Sequence, residues 1–182
     1  MIQNERGLED YICDNQEEFI ESLKNIYGED YDIKFLGRQV HIGEDNIADL
    51  IYYYDEEVIL PTNEIKKITL RNYIIVELKF RLLEPKDLAQ LSRYISTLND
   101  KLYSDKKYSK YENKINGVFV SLGETKEMQE IIIQLKNEID INIEFLHINT
   151  SITFEKSGWY HAEKYIENLK LDDRIENLYL EK

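Results

Sequence analysis

The 182-residue chain holds one cysteine, two prolines, seven glycines and only three alanines. A single thiol, Cys13, excludes an internal disulfide framework and any zinc site built from several cysteines. Placed on the opening helix, it reads as a small buried hydrophobe. No apolar run approaches the roughly 18 residues of a membrane span, and Met1-Ile2-Gln3-Asn4-Glu5-Arg6 lacks the basic start and apolar core of a secretory signal. The expectation is a soluble, cytoplasmic protein with no membrane partner. Internal repeats, long linkers and low-complexity tracts are also missing. His41, His147 and His161 are too scattered to form a metal cluster, and all three read as non-catalytic.

Positive charge is scarce as well. Lys and Arg number 23 against 36 Asp and Glu, for a net charge of −13. That balance argues against a protein that coats nucleic acid by bulk electrostatics, which needs many phosphate-neutralising cations. One segment runs the other way. Between Lys101 and Tyr111 lysines alternate with tyrosines, a mixture suited to holding phosphates and stacking bases, with Lys106 and Lys107 at its centre. A solvated loop after a helix is the plain alternative.

What the chain has in quantity is apolar patterning, at 42% hydrophobic and 12% aromatic residues, enough for one domain with a full core. Leu8, Ile12, Phe19, Leu23 and Ile26 mark an amphipathic helix that Gly28 ends. Tyr31 to Val40 alternates as a strand with one apolar mismatch at Leu36, His41 to Asn46 is a turn, and Ile47 to Tyr54 is a strand closed by Asp55-Glu56-Glu57. Pro61-Thr62-Asn63 implies an extra hairpin between Val58 and Arg71. Tyr73 to Phe80 is a near-continuous apolar run, the mark of a central strand. Pro85 opens a helix with Leu88, Leu91, Ile95, Leu98 and Leu102 as its stripe and Gln90 and Tyr94 at the stripe's edge. A strand (Lys114 to Ser121), a helix (Met128 to Ile139) and a strand (Ile143 to Ile148) follow. This order predicts an α/β fold, a mixed central sheet flanked by helices. Residues 1–155 form the domain, and residues 156–182, with a helix around Tyr160 to Leu171, are a C-terminal extension packed on it.

Charges interrupt two of these strands. Glu77 and Lys79 lie two apart in the central strand and emerge on one face, and Asp49 sits inside Ile47-Ala48-Asp49-Leu50-Ile51. If the strands pair, two carboxylates and an ammonium converge, the equipment for metal-assisted phosphodiester hydrolysis. Magnesium takes hard oxygen ligands and keeps several waters, leaving room for a phosphate oxygen and a nucleophilic water. A lysine beside the ion can have a depressed pKa and handle a proton, or can stabilise developing negative charge. A structural Glu77–Lys79 ion pair is the plain alternative.

Taken in order, Leu8-Glu9-Asp10-Tyr11-Ile12, Leu36-Gly37-Arg38-Gln39-Val40, Ala48-Asp49-Leu50, Val76-Glu77-Leu78-Lys79 and Gln90-Leu91-Ser92-Arg93-Tyr94 resemble the PD-(D/E)XK nuclease superfamily, whose fold is the restriction-endonuclease-like core. The likeness is closest to the catalytic domain of NucS-type endonucleases and small related nuclease-like proteins. It runs from about Glu5 to Leu102, and more loosely to Ile148. The resemblance implies that Asp49 and Glu77 bind Mg2+ or Mn2+ with the backbone carbonyl of Leu78, that Lys79 positions or activates the attacking water, and that Glu9 helps hold the metal, through water, with Glu5 as the substitute one turn earlier. It further implies that Gln90 faces the site with Tyr94 beside it, and that Arg38 and Gln39 match a Gly-Arg-Gln pattern on the substrate side, with Arg38 either touching phosphate or pairing with a site carboxylate. The nominal proline before the first aspartate is replaced by Ala48. The implied function is a divalent-metal-dependent endonuclease on DNA, with RNA not separated from it by these motifs. A catalytically silent nuclease-fold module, binding nucleic acid or acting through a protein partner, is the alternative that the charge of −13 suggests. The short chain, without a recognition module, points to structure-selective or weakly sequence-selective action or to a partner that delivers substrate, and the apolar tail around Trp159 and Tyr165 to a homodimer.

Overall fold

The computed structural model describes residues 2–43, 45–60, 66–104, 112–138, 143–148 and 154–156. The tail beyond 156, the Lys106 and Lys107 pair and the expected turn at Pro61 lie outside the described residues.

The described chain forms the expected α/β fold, a mixed sheet with helices on both faces. The opening helix is divided into α1 (Glu5–Asp14) and α2 (Gln16–Tyr27). Asn15 divides them because its side chain donates to the Tyr11 carbonyl at 2.8 Å. Short polar side chains compete in this way with the helical ladder. The strands are β1 (Lys34–His41), β2 (Ile47–Leu60), β3 (Lys66–Lys79), β4 (Glu112–Ser121), β5 (Ile143–Ile148) and β6 (Phe154–Lys156), with α3 (Pro85–Ser104) between β3 and β4 and α4 (Lys126–Glu138) between β4 and β5. They lie side by side in chain order. The pairs β1–β2, β2–β3 and β5–β6 are antiparallel, while β3–β4 and β4–β5 are parallel.

Two expectations are corrected. Asp55-Glu56-Glu57 does not close β2, because these residues pair with Arg71, Leu70 and Thr69. Nor is Val58 to Arg71 a separate hairpin, since its strands are the far ends of one long β2–β3 ribbon. Arg71 holds the ribbon with a two-pronged ion pair to Asp55 at 2.6 and 2.7 Å, a cross-strand attraction that outweighs three consecutive acids' low strand preference. The apolar mismatch at Leu36 has a local cause as well. The β1–β2 register shifts between Phe35 and Gly37, so the bulged Leu36 leaves the alternation and is half exposed.

Strand alternation sorts the core into two layers. Leu50, Tyr52, Ile74, Val76, Leu78, Val118, Val120 and Leu146 face α1 and α2, meeting Leu8, Ile12, Phe19 and Leu23. Ile51, Tyr73, Ile75, Phe119 and Phe145 face α3 and α4, meeting Leu88, Leu91, Tyr94, Leu98 and Met128. Gly117 lets α3 approach closely, because a Cβ there would stand 2.8 Å from Leu91 Cδ2. Cys13 is half-buried beside the first layer, and burial pushes its thiol pKa up. Among the described residues no helix is long and apolar enough to cross a membrane.

The turns at the carboxyl ends of β3 and β4 are zipped together. Leu83 N–H donates to Gly123 O at 2.8 Å, Thr125 N–H to Leu83 O at 3.1 Å and Leu122 N–H to Arg81 O at 3.2 Å. Asp87, buried in the first turn of α3, accepts from the Glu84 N–H at 2.8 Å, the reciprocal half of a capping box. Both its oxygens also take Arg81, at 2.8 and 2.7 Å. Burial raises the Asp87 carboxyl, but Arg81 and the Glu84 N–H outweigh it and hold its pKa below the ordinary value. A lowered carboxylate pKa contributes stability above the unfolded-state value and loses it as pH falls through the folded one. Asp87→Asn should therefore lower stability in urea at pH 7 by about 1–3 kcal/mol, and the gap to wild type should close below pH 3.8, the ordinary value.

Candidate active site

The β2–β3 ladder stops at Leu50↔Val76. Beyond it the Asp49 carboxylate takes over, with Oδ2 accepting the Leu78 main-chain N–H at 2.8 Å. This satisfies an amide that the ladder leaves unpaired and brings a carboxylate beside Glu77 and Lys79. From the other side comes α1, started by Asn4, whose side chain caps the Gly7 N–H at 2.8 Å. Its Glu5, Arg6 and Glu9, with Arg38, Gln39, Asp49 and Leu78, line a cleft of about 410 Å3.

Glu9 is buried, with Oε1 accepting from Arg38 Nε at 2.9 Å and Oε2 from Gln39 Nε2 at 3.1 Å. Gln39 Nε2 also donates to Asp49 Oδ1 at 3.2 Å, and Arg38 reaches Asp10 at 3.1 Å. Lys79 Nζ donates to Glu77 Oε1 at 2.8 Å. Of the oxygens on Glu9, Asp49 and Glu77, Glu77 Oε2 alone is buried with no donor among the described residues.

These groups perturb one another as a crowded acid set must. The Glu77 carboxyl is pushed up to about 7, first by burial and then by the charge of Asp49, with Lys79 pulling the other way. Burial and the Glu9 charge also raise Asp49, against the Leu78 N–H, Lys79 and Gln39. For Lys79, burial favours the neutral amine, but the Glu77 carboxylate more than offsets it and Glu5 and Asp49 add to it, so its pKa rises. Of the two roles left open for Lys79, proton handling at a depressed pKa and stabilisation of negative charge, this balance favours the second. In the metal-free protein Lys79 is a cation at neutral pH, because the nearest group is a carboxylate at hydrogen-bond distance.

Glu9, Arg38, Gln39, Asp49, Glu77, Leu78 and Lys79 therefore gather at one end of the sheet. Gln90 and Tyr94 make a separate pair on α3, with Gln90 Nε2 donating to Tyr94 Oη at 2.7 Å and the tyrosine buried in the core. Neither lines the cleft, and Glu77 and Lys79, which flank its Leu78 in the chain, do not line it either. His147 is held by Glu124 at 2.6 Å. Sequence reasoning set Glu5 and Glu9 as alternatives, whereas both line the cleft. It missed Arg6, whose only signal was its place on the same first turn.

Among the described residues no three acidic, histidine or cysteine side chains stand ready as a set to hold an ion. The chemistry of the set nevertheless fits a divalent cation, with hard oxygen ligands, a buried oxygen without a donor and carboxyl pKa values driven up by burial and by the neighbouring carboxylates. A raised acid pKa makes the folded state hold a proton that the unfolded chain releases. The cost of ionising Glu77 thus appears as pH rises above 4.5 and is complete above about 7. Metal-free protein should lose on the order of 3 kcal/mol of stability to this group between pH 4.5 and 8, at roughly 1.4 kcal/mol per pKa unit. Denaturation of Asp49→Asn across that range should show a shallower loss, since the variant removes the charge acting on Glu77.

No family model matches this sequence, and no curated protein does. Among solved structures the chain is similar to a repair endonuclease from Pyrococcus abyssi, at 17% identity and a TM-score of 0.41 over 72% of this chain and 46% of that one. It is also similar to a chain in the structure of an EndoMS–dsDNA2 complex, at 19% identity and a TM-score of 0.39 over 72% of this chain and 44% of that one. The chain thus spans less than half the length of either protein.

Proposed function

We propose that the protein is a divalent-metal-dependent nuclease that hydrolyses phosphodiester bonds, with DNA, the substrate implied by the order of its sequence motifs, as its target. The observation that carries this reading is the convergence of Glu9, Asp49, Glu77 and Lys79 beside an open cleft, with Glu77 Oε2 buried and lacking a donor. Asp49 and Glu77 would hold Mg2+ or Mn2+ with the Leu78 carbonyl, and Glu9 would reach it through water. Bound there, the ion supplies a Lewis acid and a more acidic water. The protein's own groups divide the remaining work. Lys79 would stabilise negative charge developing on the phosphate and orient the water. Asp49 and Glu77 are held by the Leu78 N–H and the Lys79 ammonium. Arg38 and Arg6 place positive charge on the wall of an otherwise acidic cleft. Gln90 and Tyr94 are assigned a supporting place by the resemblance.

A second reading, a silent module that binds nucleic acid or a protein partner, is favoured by the donors that already engage the acids. Cleavage assays on labelled single-stranded, duplex and branched DNA and on RNA separate the two. The nuclease reading predicts Mg2+- or Mn2+-dependent cleavage that falls by about 100-fold or more in Lys79→Ala and Asp49→Ala, the scale of losing one transition-state charge contact. Cleavage that survives in the double variant would sink the assignment, and tight binding without turnover in either metal would favour the silent module.

A further inference from the structure

Gln39 has a backbone φ of 48°, in the left-handed region that non-glycine residues rarely enter. It lies between Arg38, paired with Leu50, and Val40, paired with Ala48, so it falls opposite Asp49. Its amide nitrogen donates to Glu9 Oε2 at 3.1 Å and to Asp49 Oδ1 at 3.2 Å. Ionised carboxylates only accept, so the nitrogen, not the oxygen, must face both acids. The two donor hydrogens thus join an acid on α1 to an acid on β2 across the cleft.

A divalent ion held by Asp49 and Glu77, and reached by Glu9 through water, would draw on the same two carboxylates that Gln39 engages. An amide nitrogen that is donating cannot ligate it, and hard cations require oxygens at about 2.0–2.6 Å. We infer that Gln39 sets how tightly the centre takes its metal: the amide stands in for the ion in the metal-free protein and is displaced when the ion binds. Gln39 is a positioning residue in this account. It keeps Glu9 and Asp49 together without metal and competes with the metal for them. The inference rests on the metal-centre reading above. Displacement leaves the amide on the cleft wall, free to meet substrate.

The test is calorimetric titration of Mn2+ into wild type, Gln39→Ala, Asp49→Asn and the Gln39→Ala/Asp49→Asn double variant, with thermal denaturation to show that each folds. Gln39 is exposed, so its truncation leaves the core intact. Removal of the competing amide should tighten Mn2+ binding about tenfold, the factor carried by one charge-assisted hydrogen bond, and Asp49→Asn should abolish binding in either background. A supporting or purely structural Gln39 gives the opposite sign. Asp49-dependent binding that is equal or weaker in Gln39→Ala overturns this inference and leaves the metal reading standing. No Asp49-dependent binding in wild type or Gln39→Ala overturns both.

Discussion

The structure depends on one hydrogen bond made where a ladder fails. At the end of the β2–β3 pairing the Leu78 N–H has lost its strand partner, and the Asp49 carboxylate accepts it at 2.8 Å. A buried amide without an acceptor costs on the order of 1–3 kcal/mol, so the fold has a reason to keep an acid at that position. The same bond draws a negative charge beside the Glu77–Lys79 pair and lets the strands part, so that α1 can bring Glu9 across the opening. Stability and the proposed chemistry thus use one carboxylate. The consequence is a group of acids with too few cations, which Gln39, Arg38 and Lys79 partly satisfy.

Rigidity around this opening comes from its surroundings. The turn after Lys79 is held by Arg81 on Asp87 and by main-chain bonds to the turn after β4, so the end of β3 is tied to both α3 and β4. Parallel strands β3, β4 and β5 all finish at this edge, placing Lys79, Ser121 and His147 in register. Open α/β sheets commonly bind ligands beyond the carboxyl ends of such strands, and the cleft lies there. Glu9, Arg38 and Asp49 in it, and Glu77 and Lys79 beside it, are held by hydrogen bonds to main chain, to Gln39 or to one another.

Much of this was legible in the residues. Strand alternation and helical stripes gave the α/β order because burial on two faces writes itself into apolar spacing, as in Ile74 to Leu78 and Leu88 to Leu102. Asp49, Glu77 and Lys79 were visible because charges inside apolar strands are expensive without a partner. The break at Asn15 was hidden because the apolar stripe continues across it. The length of β2 was hidden because Asp55-Glu56-Glu57 looks like a turn until Arg71 is seen opposite. The part played by Gln39 was out of reach for a different reason. Its left-handed backbone and its two acceptors come from three separate elements, and no local spacing records that meeting.

We propose that this centre is short of positive charge until a divalent ion binds. Carbon-detected NMR titration of the Glu77 side-chain carboxyl, with and without saturating Mg2+, tests it most directly. The account predicts a midpoint near 7 without metal and a marked fall when Mg2+ is present. An ordinary glutamate midpoint that Mg2+ leaves unchanged would contradict it.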